Sequence, residues 1–181
     1  MRQSIIIFRG LPGTGKTFLT KKLVQRLDNI VIISRDVVRL KVFKNPNYSK
    51  EEKEQLLSVM LFMTEENILS KRNVIIDGMT FATRDSIKPF KNLADKHNIN
   101  FKIIECFCSE ETALSRIEKD IIENNHPAAD RDEELYYHVK EYFEVLDEYC
   151  LKINTEENFE KNIEKILFFL NSKVLKIQNA D

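Results

Sequence analysis

The sequence is poor in cysteine and has no long apolar run, and these two absences exclude several classes of protein. Only three cysteines occur among 181 residues, at spacings that suit no disulfide framework. The longest apolar stretches, Ser4–Phe8 and Val74–Ile76, are far too short to span a bilayer. No basic and apolar leader opens the chain, because Gly10 and Pro12 interrupt the first apolar run. The sequence therefore predicts a cytoplasmic protein that does not act in a membrane.

Glycine is also scarce, and its placement is informative. Three of the four glycines, Gly10, Gly13 and Gly15, fall within six residues, and Gly78 follows Asp77 at the end of another apolar run. A chain so poor in glycine uses it where the backbone needs a conformation or a close approach that other residues disfavour. These two places are therefore where the backbone has a special task.

Charge is balanced over the whole chain but not along it. The formal net charge is −1, which argues against a general nucleic-acid coat protein. Residues 1–50 nevertheless hold 11 Lys/Arg and 2 Asp/Glu, a local balance of +9, whereas the other 131 residues hold 17 and 27. A basic first third on an acidic body suggests an anion-binding end.

Short apolar runs alternate with stretches of helical periodicity. The predicted strands are Ser4–Phe8, Ile30–Ile33, Val74–Asp77, Phe101–Cys108 and Tyr149–Ile153. The predicted helices are Thr17–Leu27, Val37–Phe43, Ser49–Lys71, Arg84–Asn98, Ser109–Asn124, Asp132–Leu146 and Glu156–Leu170. This alternation predicts an α/β fold with a mostly parallel five-stranded sheet covered on both faces. We expect one domain over residues 1–171 and a flexible tail at 172–181.

Serines precede three of the predicted helices. Ser34 and Ser109 stand where a helix N-cap is expected, since a serine hydroxyl can accept a hydrogen bond from the first helical turn. Ser49 and Glu52 fit the capping-box pattern, in which each side chain would bond the other residue's backbone N–H.

A phosphate-binding loop follows the first predicted strand and precedes the first predicted helix. Residues 10–17 match the pattern G-x-x-x-x-G-K-[ST] in full, in the required strand–loop–helix context. Backbone N–H groups of such a loop and the positive end of the helix surround a phosphate. Lys16 would reach the β- and γ-phosphates, and the Thr17 hydroxyl would hold Mg²⁺. The predicted ligand is ATP, with GTP as the alternative, bound by Gly10, Pro12, Gly13, Thr14, Gly15, Lys16 and Thr17.

The second predicted strand leads into Ser34-Arg35-Asp36-Val37-Val38-Arg39. Residues at the carboxyl ends of strands in an open sheet face the ligand crevice, so Asp36 should share an edge with the phosphate loop. There it could accept a proton from a hydroxyl acceptor as the hydroxyl attacks the γ-phosphoryl group. Arg39, one helical turn on, could bind an anionic part of that acceptor, with Arg35 beside it. A chain this short, with no guanine-reading N-K-x-D element, favours a kinase over a motor or a switch.

The third predicted strand ends in Asp77-Gly78. Asp77 is a candidate Mg²⁺ ligand, directly or through water, and a candidate contact of the acceptor, while Gly78 would let a ligand approach. Thr80 and Arg84 follow on the same edge and are weaker candidates for contact with the acceptor.

Two arginines suggest a lid over residues 115–132. Arg116 lies on the helix after the fourth strand, and Arg131 lies beyond the break at Asn125-His126-Pro127. Lid arginines can close over the phosphates, exclude water and stabilise charge during transfer. Asn154 and Thr155 follow the fifth strand, where an adenine-lining loop is expected.

Together these elements resemble the phage-type polynucleotide 5′-hydroxyl kinase domain over roughly residues 4–155. The resemblance rests on Gly10–Thr17, Arg35-Asp36-x-x-Arg39, Val74–Asp77 and Ala113-Leu114-x-Arg116. It implies a three-layer P-loop NTPase fold of the nucleoside-kinase type with a helical lid. It also implies that Asp36 is the general base and that Arg39 contacts a substrate phosphate.

The chain departs from the pattern of that family at two places. Met79 stands where the family has asparagine two residues after the acid of the third strand. Asp120 stands where a second lid arginine is expected, so Arg131 would have to serve. The scaffold is also similar to adenylylsulfate, gluconate and seryl-tRNA kinases, which the Asp36/Arg39 pair does not separate.

The sequence thus predicts an ATP- and Mg²⁺-dependent phosphotransferase that acts on a hydroxyl acceptor. A 5′-hydroxyl end of RNA or DNA is slightly favoured, because the basic first third could bind the phosphates of a short strand. The alternatives are a small-molecule kinase or, from another class, a nucleotide-binding regulator without acceptor chemistry. The oligomeric state stays open.

Overall fold

The computed structural model of this chain describes residues 1–123, 132–146 and 150–172. Its strands are β1 (Ser4–Arg9), β2 (Ile30–Ser34), β3 (Asn73–Asp77), β4 (Asn100–Phe107) and β5 (Leu151–Asn154). Its helices are α1 (Lys16–Val24), α2 (Arg35–Val42), α3 (Lys50–Leu69), α4 (Arg84–Lys96), α5 (Glu110–Ile122), α6 (Glu133–Glu141) and α7 (Phe159–Asn171). The predicted alternation of strands and helices is therefore present, while residues 173–181 of the expected tail lie outside the described ranges.

All five strands are parallel, in the order β2-β3-β1-β4-β5. The chain leaves β1 toward one side of the sheet to form β2 and β3, then crosses to the other side to form β4 and β5. Such a reversal of strand order opens a crevice at the carboxyl ends of the strands, where ligands of open α/β sheets bind. The crevice here lies directly after β1, where the glycine-rich loop begins.

Alternation along β1 divides the core into two layers. Ile5 and Ile7 face a cluster that includes residues of α2, α3 and α4. Ile6 and Phe8 face the opposite cluster, which includes residues of α1 and α7. Every residue of β1 and β3 is buried, as expected for central parallel strands covered on both faces.

A third, smaller cluster joins α5 and α6 to the phosphate loop. Ala113 and Ile117 of α5 and Tyr136 of α6 form it, and Leu11 packs against them. The expected lid spans the end of α5 and residues 124–131, which lie outside the described ranges. None of the described helices is long and apolar enough to cross a membrane.

The predicted helix at 132–146 is wrong in its last turn. α6 ends at Glu141, and Phe143–Leu146 form no helix. The segment instead bonds to other parts of the fold: the Glu144 N–H donates to the Ala82 carbonyl at 2.9 Å. The Glu144 carbonyl accepts from Arg9 at 2.7 Å. These long-range bonds override the local helical pattern.

Arg9, the last residue of β1, is fully buried and holds this segment in place. Its guanidinium lies 3.3 Å from a Glu105 carboxylate oxygen and 4.2 Å from the centre of the Phe143 ring. A buried cation that is paired in this way is costly to remove, because its largely buried carboxylate partner then keeps only the exposed Lys152 nearby.

Replacing Arg9 by Met should therefore destabilise the protein by about 3 kcal/mol, the usual cost of breaking a buried ion pair. For a chain of this size, each kcal/mol lowers the melting temperature by about 2–4 °C. Amide hydrogen exchange at residues 142–146 should also become faster. Lys152→Met is the matched control, because exposed Lys152 lies 3.7 Å from the same Glu105. Equal melting and exchange in the two variants would contradict the anchoring role.

Candidate active site

The glycine-rich loop packs too closely against neighbouring backbone to carry side chains at two of its positions. A Cβ on Gly10 would lie 2.3 Å from the Cys106 carbonyl oxygen, and one on Gly13 would lie 2.3 Å from the Ala113 carbonyl oxygen. Both glycines also have positive φ, +147° and +78°. The loop is thus enclosed between the end of β4 and the first turns of α5.

Within this loop the Lys16 ammonium points back toward backbone oxygens. Its Nζ donates to the carbonyls of Gly10 at 2.7 Å and Leu11 at 2.8 Å, and the side chain is buried. Thr14 and Pro12 are buried in the same loop, with the Thr14 hydroxyl on the Leu11 carbonyl. The Lys16 ammonium therefore lies inside the turn of the loop, which is where phosphate-binding loops bind a phosphate.

Thr17 and Asp77 meet at the start of α1 and the end of β3. The Thr17 hydroxyl donates to an Asp77 carboxylate oxygen at 3.3 Å. Burial raises the pKa of Asp77, against hydrogen bonds from Gly78 and Thr17 and the nearby charge of Lys16, while the Asp36 charge raises it further. Asp77 is thus a carboxylate whose charge lacks full compensation in the protein alone.

These two oxygens fit the requirements of Mg²⁺. The ion prefers oxygen ligands and is commonly held by one or two carboxylates together with substrate phosphates and water. The described ranges contain no cluster of three or more acidic, His or Cys ligands that could hold a metal by themselves. Thr17 and Asp77 are consistent with a site that the phosphates of the nucleotide would complete.

Asp36 lies beside this pair because the register of the sheet brings it there. Ser34 pairs with Asp77 across β2 and β3, and Asp36 follows two residues later in the first turn of α2. A Cβ on Gly78 would lie 3.1 Å from Asp36 Oδ2, so the glycine permits the close approach. The carboxylate is buried, and Arg35 Nε lies 3.4 Å from its other oxygen. Ser34 is the N-cap residue of α2, but its side chain makes no capping hydrogen bond.

Arg39 is buried as well, and two of the residues around it were missed as site residues from the sequence. Its Nε lies 2.8 Å from a Glu52 carboxylate oxygen, and the Tyr48 ring lies 4.4 Å from its Cζ. The predicted capping box is only half formed: Ser49 accepts from the Glu52 N–H, while Glu52 accepts from Asn47 and Tyr48. The pattern indicated a helix start at Glu52 and gave no sign of its contact with Arg39.

Arg116 joins α5, the phosphate loop and the segment after β5. Its guanidinium donates to the Thr155 hydroxyl at 2.9 Å, to the Thr155 carbonyl at 3.2 Å and to the Gly13 carbonyl at 3.4 Å. Asn154 uses its side chain in its own turn, where it accepts from the Glu156 N–H. Arg131 lies outside the described residues.

The weaker candidates occupy two different places. The Thr80 carbonyl accepts from the Gly10 N–H at 3.0 Å, so this residue supports the phosphate loop through its backbone. Arg84 begins α4, and its hydrogen bonds go to the Glu144 carboxylate and the Val145 carbonyl. These bonds tie Arg84 to the segment that Arg9 anchors.

Comparison with known proteins assigns the family. A family model described as AAA domain (AAA_33) matches residues 5–145, so the chain belongs to this family. An adenylate kinase of Thermococcus sibiricus is 30% identical over 123 residues, which cover 63% of this chain and 54% of that protein. The chain thus spans about half the length of this curated relative.

Solved structures share the fold at low sequence identity. The Mycobacterium tuberculosis APS kinase CysC, in complex with AMPPNP and APS, has a TM-score of 0.66 at 13% identity and covers 94% of this chain and 99% of its own. A chain of the Pnkp1/Rnl/Hen1 complex has a TM-score of 0.57 at 22% identity and covers 64% and 39%. These structures show the fold, and together with the family match and the adenylate kinase relative they make the chain a kinase-like P-loop domain. The narrower resemblance to phage-type polynucleotide kinases stays a prediction.

The raised pKa of Asp77 predicts that Asp77→Asn increases the melting temperature of the nucleotide-free protein near neutral pH. The amide removes a buried charge whose cost appears above the unfolded-chain pKa of about 3.9 and is complete above the raised pKa of the folded protein. The gain should thus be absent near pH 3 and grow as the pH rises. Thermal melting over a pH series measures it, with exposed Asp95→Asn as control. A lower melting temperature at neutral pH would mean that the attraction of Lys16 outweighs burial.

Proposed function

We propose that this chain transfers the γ-phosphoryl group of ATP to a hydroxyl group of a second substrate. The observation that carries the proposal is the approach of Asp36 to Gly78 beside the Thr17–Asp77 pair. Through this approach Asp36, the candidate proton acceptor, lies next to the candidate ligands of Mg²⁺ at the end of β3. The phosphate loop follows β1, the strand on the other side of β3. GTP is the alternative donor.

In this mechanism the Asp36 carboxylate takes the proton of the acceptor hydroxyl. The acceptor oxygen forms a bond to the γ-phosphorus, the bond from phosphorus to the β–γ bridging oxygen breaks, and ADP leaves. Lys16 turns from the loop carbonyls to the phosphates, and Thr17 and Asp77 are the residues that would hold Mg²⁺. The ion, when bound, neutralises charge on the phosphate oxygens.

In this proposal, arginines bind both the acceptor and the nucleotide. Arg39, with Arg35 beside it, binds an anionic part of the acceptor near Asp36. Arg116 reaches the nucleotide from α5, since it already contacts Gly13 of the phosphate loop. Thr155, which Arg116 contacts, and Asn154 are the residues that would border the nucleotide base, and Arg131 is assigned to the lid by its sequence position alone. Thr80 and Arg84 remain candidates for outer contacts of the acceptor.

A 5′-hydroxyl end of RNA or DNA is the acceptor we favour. Exposed Lys41 at the end of α2 and exposed Lys44 in the segment between α2 and α3 lie near Tyr48, whose ring covers Arg39; Lys50 begins α3 and pairs with Glu54 at 3.9 Å. Cations around the candidate acceptor site suit a strand with several phosphates. A small-molecule kinase of the adenylylsulfate or gluconate type and a seryl-tRNA kinase are the alternatives within the same chemistry.

A regulator that binds a nucleotide without transferring phosphate is the alternative from another class. Release of ADP that depends on an added acceptor separates the two. Among enzymes, the salt dependence of acceptor binding separates a strand from a metabolite, because the slope increases with the number of phosphates contacted. An acceptor panel should therefore include a 5′-hydroxyl oligonucleotide, adenylylsulfate, a sugar acid and seryl-tRNA, each at two salt concentrations.

Asp36→Asn should slow phosphate transfer by about 10²–10⁴-fold, the usual contribution of a general base, because an amide cannot accept the proton. The affinity for ATP should change little, since Asp36 lies on the acceptor side. Single-turnover transfer and nucleotide-dependent melting measure the two effects. Asp85→Asn is the matched control, an exposed aspartate in the first turn of α4. Near-normal turnover by Asp36→Asn would refute its role as the base.

Lys16→Ala should weaken both nucleotide binding and transfer, unlike Asp36→Asn. The fold should remain, because the ammonium donates to the Gly10 and Leu11 carbonyls of its own loop and the apolar clusters on both sides of the sheet do not include it. Stabilisation by Mg-ATP and transfer should both fall strongly, since the phosphates lose a buried cation. Wild-type stabilisation and transfer in this variant would contradict the assignment of the loop.

A further inference from the structure

Glu52 lies in the first turn of α3, where a glutamate is usually solvated, yet only 4% of its surface is exposed. One carboxylate oxygen accepts from the backbone N–H groups of Asn47 at 2.6 Å and Tyr48 at 3.2 Å. The Glu52 side chain therefore holds the backbone of the segment between α2 and α3 through these two hydrogen bonds.

The other carboxylate oxygen lies 2.8 Å from Arg39 Nε. The angle falls outside hydrogen-bond geometry, and neither atom has another hydrogen-bond partner in the described part of the chain. Burial opposes ionisation of Glu52, but the two amides and the Arg39 charge hold its pKa below the ordinary value. The charges of Arg39 and Glu52 thus compensate each other, and the fold sets the geometry of this ion pair before any substrate binds.

Tyr48 completes the surroundings of Arg39 in a backbone conformation that few aromatic residues adopt. Its φ is +59°, in the left-handed region, which is costly for a bulky side chain and persists where other contacts enforce it. The Glu52 carboxylate supplies such a contact through the Tyr48 N–H, and the ring lies over the guanidinium. On a third side, Arg39 Nη1 lies 3.9 Å from Asp36 Oδ1.

We propose that Glu52 is a positioning residue that fixes the Arg39 guanidinium next to Asp36 for contact with the acceptor. It acts twice, through its charge on Arg39 Nε and through the backbone of the segment that carries Tyr48. The inference rests on the proposed function, because it assigns the acceptor contact to Arg39. Glu52 itself touches neither substrate and does not contribute to binding of the nucleotide.

Two substitutions separate the two contacts. Glu52→Gln keeps an oxygen for the amides of Asn47 and Tyr48 but removes the charge that holds Arg39, whereas Glu52→Ala removes both contacts. Displacement of a substrate-binding group by about 1 Å can cost about 10²-fold. We therefore expect Glu52→Gln to raise the acceptor KM by about 10- to 100-fold and to leave the ATP KM unchanged. Glu54→Gln, a change at an exposed neighbour on α3, is the control.

A double-mutant cycle tests whether Glu52 acts through Arg39. In the Arg39→Met background the further change Glu52→Gln should add little to the acceptor KM, whereas independent residues would give additive effects. The double variant also removes both buried charges, so it guards against a single variant that fails to fold. Additive effects, or an unchanged acceptor KM in Glu52→Gln, would overturn the proposal.

A structural measurement keeps this inference separate from the proposed function. In ¹⁵N-labelled protein, relaxation of the Arg39 Nε–H signal should show a rigid side chain in the wild type and in Glu54→Gln, and a mobile one in Glu52→Gln, because the ion pair with Glu52 holds the guanidinium. If the wild type phosphorylates no acceptor, the proposed function fails, but this signal still decides whether Glu52 fixes Arg39. An Arg39 side chain that stays as rigid in Glu52→Gln as in the wild type would refute the positioning role whatever the activity.

Discussion

The site depends on charges that the fold buries beside one another at the carboxyl edge of the sheet. Lys16, Asp36, Arg39, Glu52 and Asp77 are all less than 10% exposed. Ionised groups lose much of their hydration on burial, so each needs a partner of opposite charge or a set of hydrogen-bond donors or acceptors. Most of these groups have one in the protein alone, whereas the raised pKa of Asp77 marks a carboxylate that is compensated only in part. A bound cation would supply the positive charge that the Asp77 carboxylate lacks.

The parallel register of the strands explains why these charges meet. β3 lies between β1 and β2, and Ser34 pairs with Asp77, so the turn after β2 reaches the end of β3. Gly78 then leaves space for the Asp36 carboxylate, and α1 brings Thr17 to the other side of Asp77. A shift of β3 by one residue would turn Asp77 and the other β3 side chains to the opposite face of the sheet, away from Asp36 and Thr17. The packing of the isoleucine-rich strands therefore sets the geometry of the charges.

Some of this could be predicted from the sequence because it is local. The phosphate loop is a contiguous pattern, and Asp36 and Asp77 each follow a recognisable apolar strand, so a rule about strand ends is sufficient to place them. The roles of Glu52 and Arg9 could not be predicted in this way, because both depend on partners far along the chain or across a turn. Glu52 matches a capping box, yet its carboxylate is turned to Asn47, Tyr48 and Arg39 by the tertiary fold. The predicted helix at 132–146 is too long for the same reason, because the backbone N–H and carbonyl of Glu144 bond to Ala82 and Arg9 and not within α6.

The two sides of the site differ in how freely they can vary. In the proposed function, the nucleotide side is a loop packed against the backbone of Cys106 and Ala113, so a side chain at Gly10 or Gly13 would displace the loop itself. The acceptor side is formed by α2, the start of α3 and the segment between them, where exposed Lys41 and Lys44 can change without disturbing the sheet. In the proposed function, differences in acceptor among chains of this fold should arise mainly around Arg39, because the sheet and the phosphate loop do not form this part of the site. The pairing with Glu52 would then fix the direction in which the Arg39 guanidinium meets an anion.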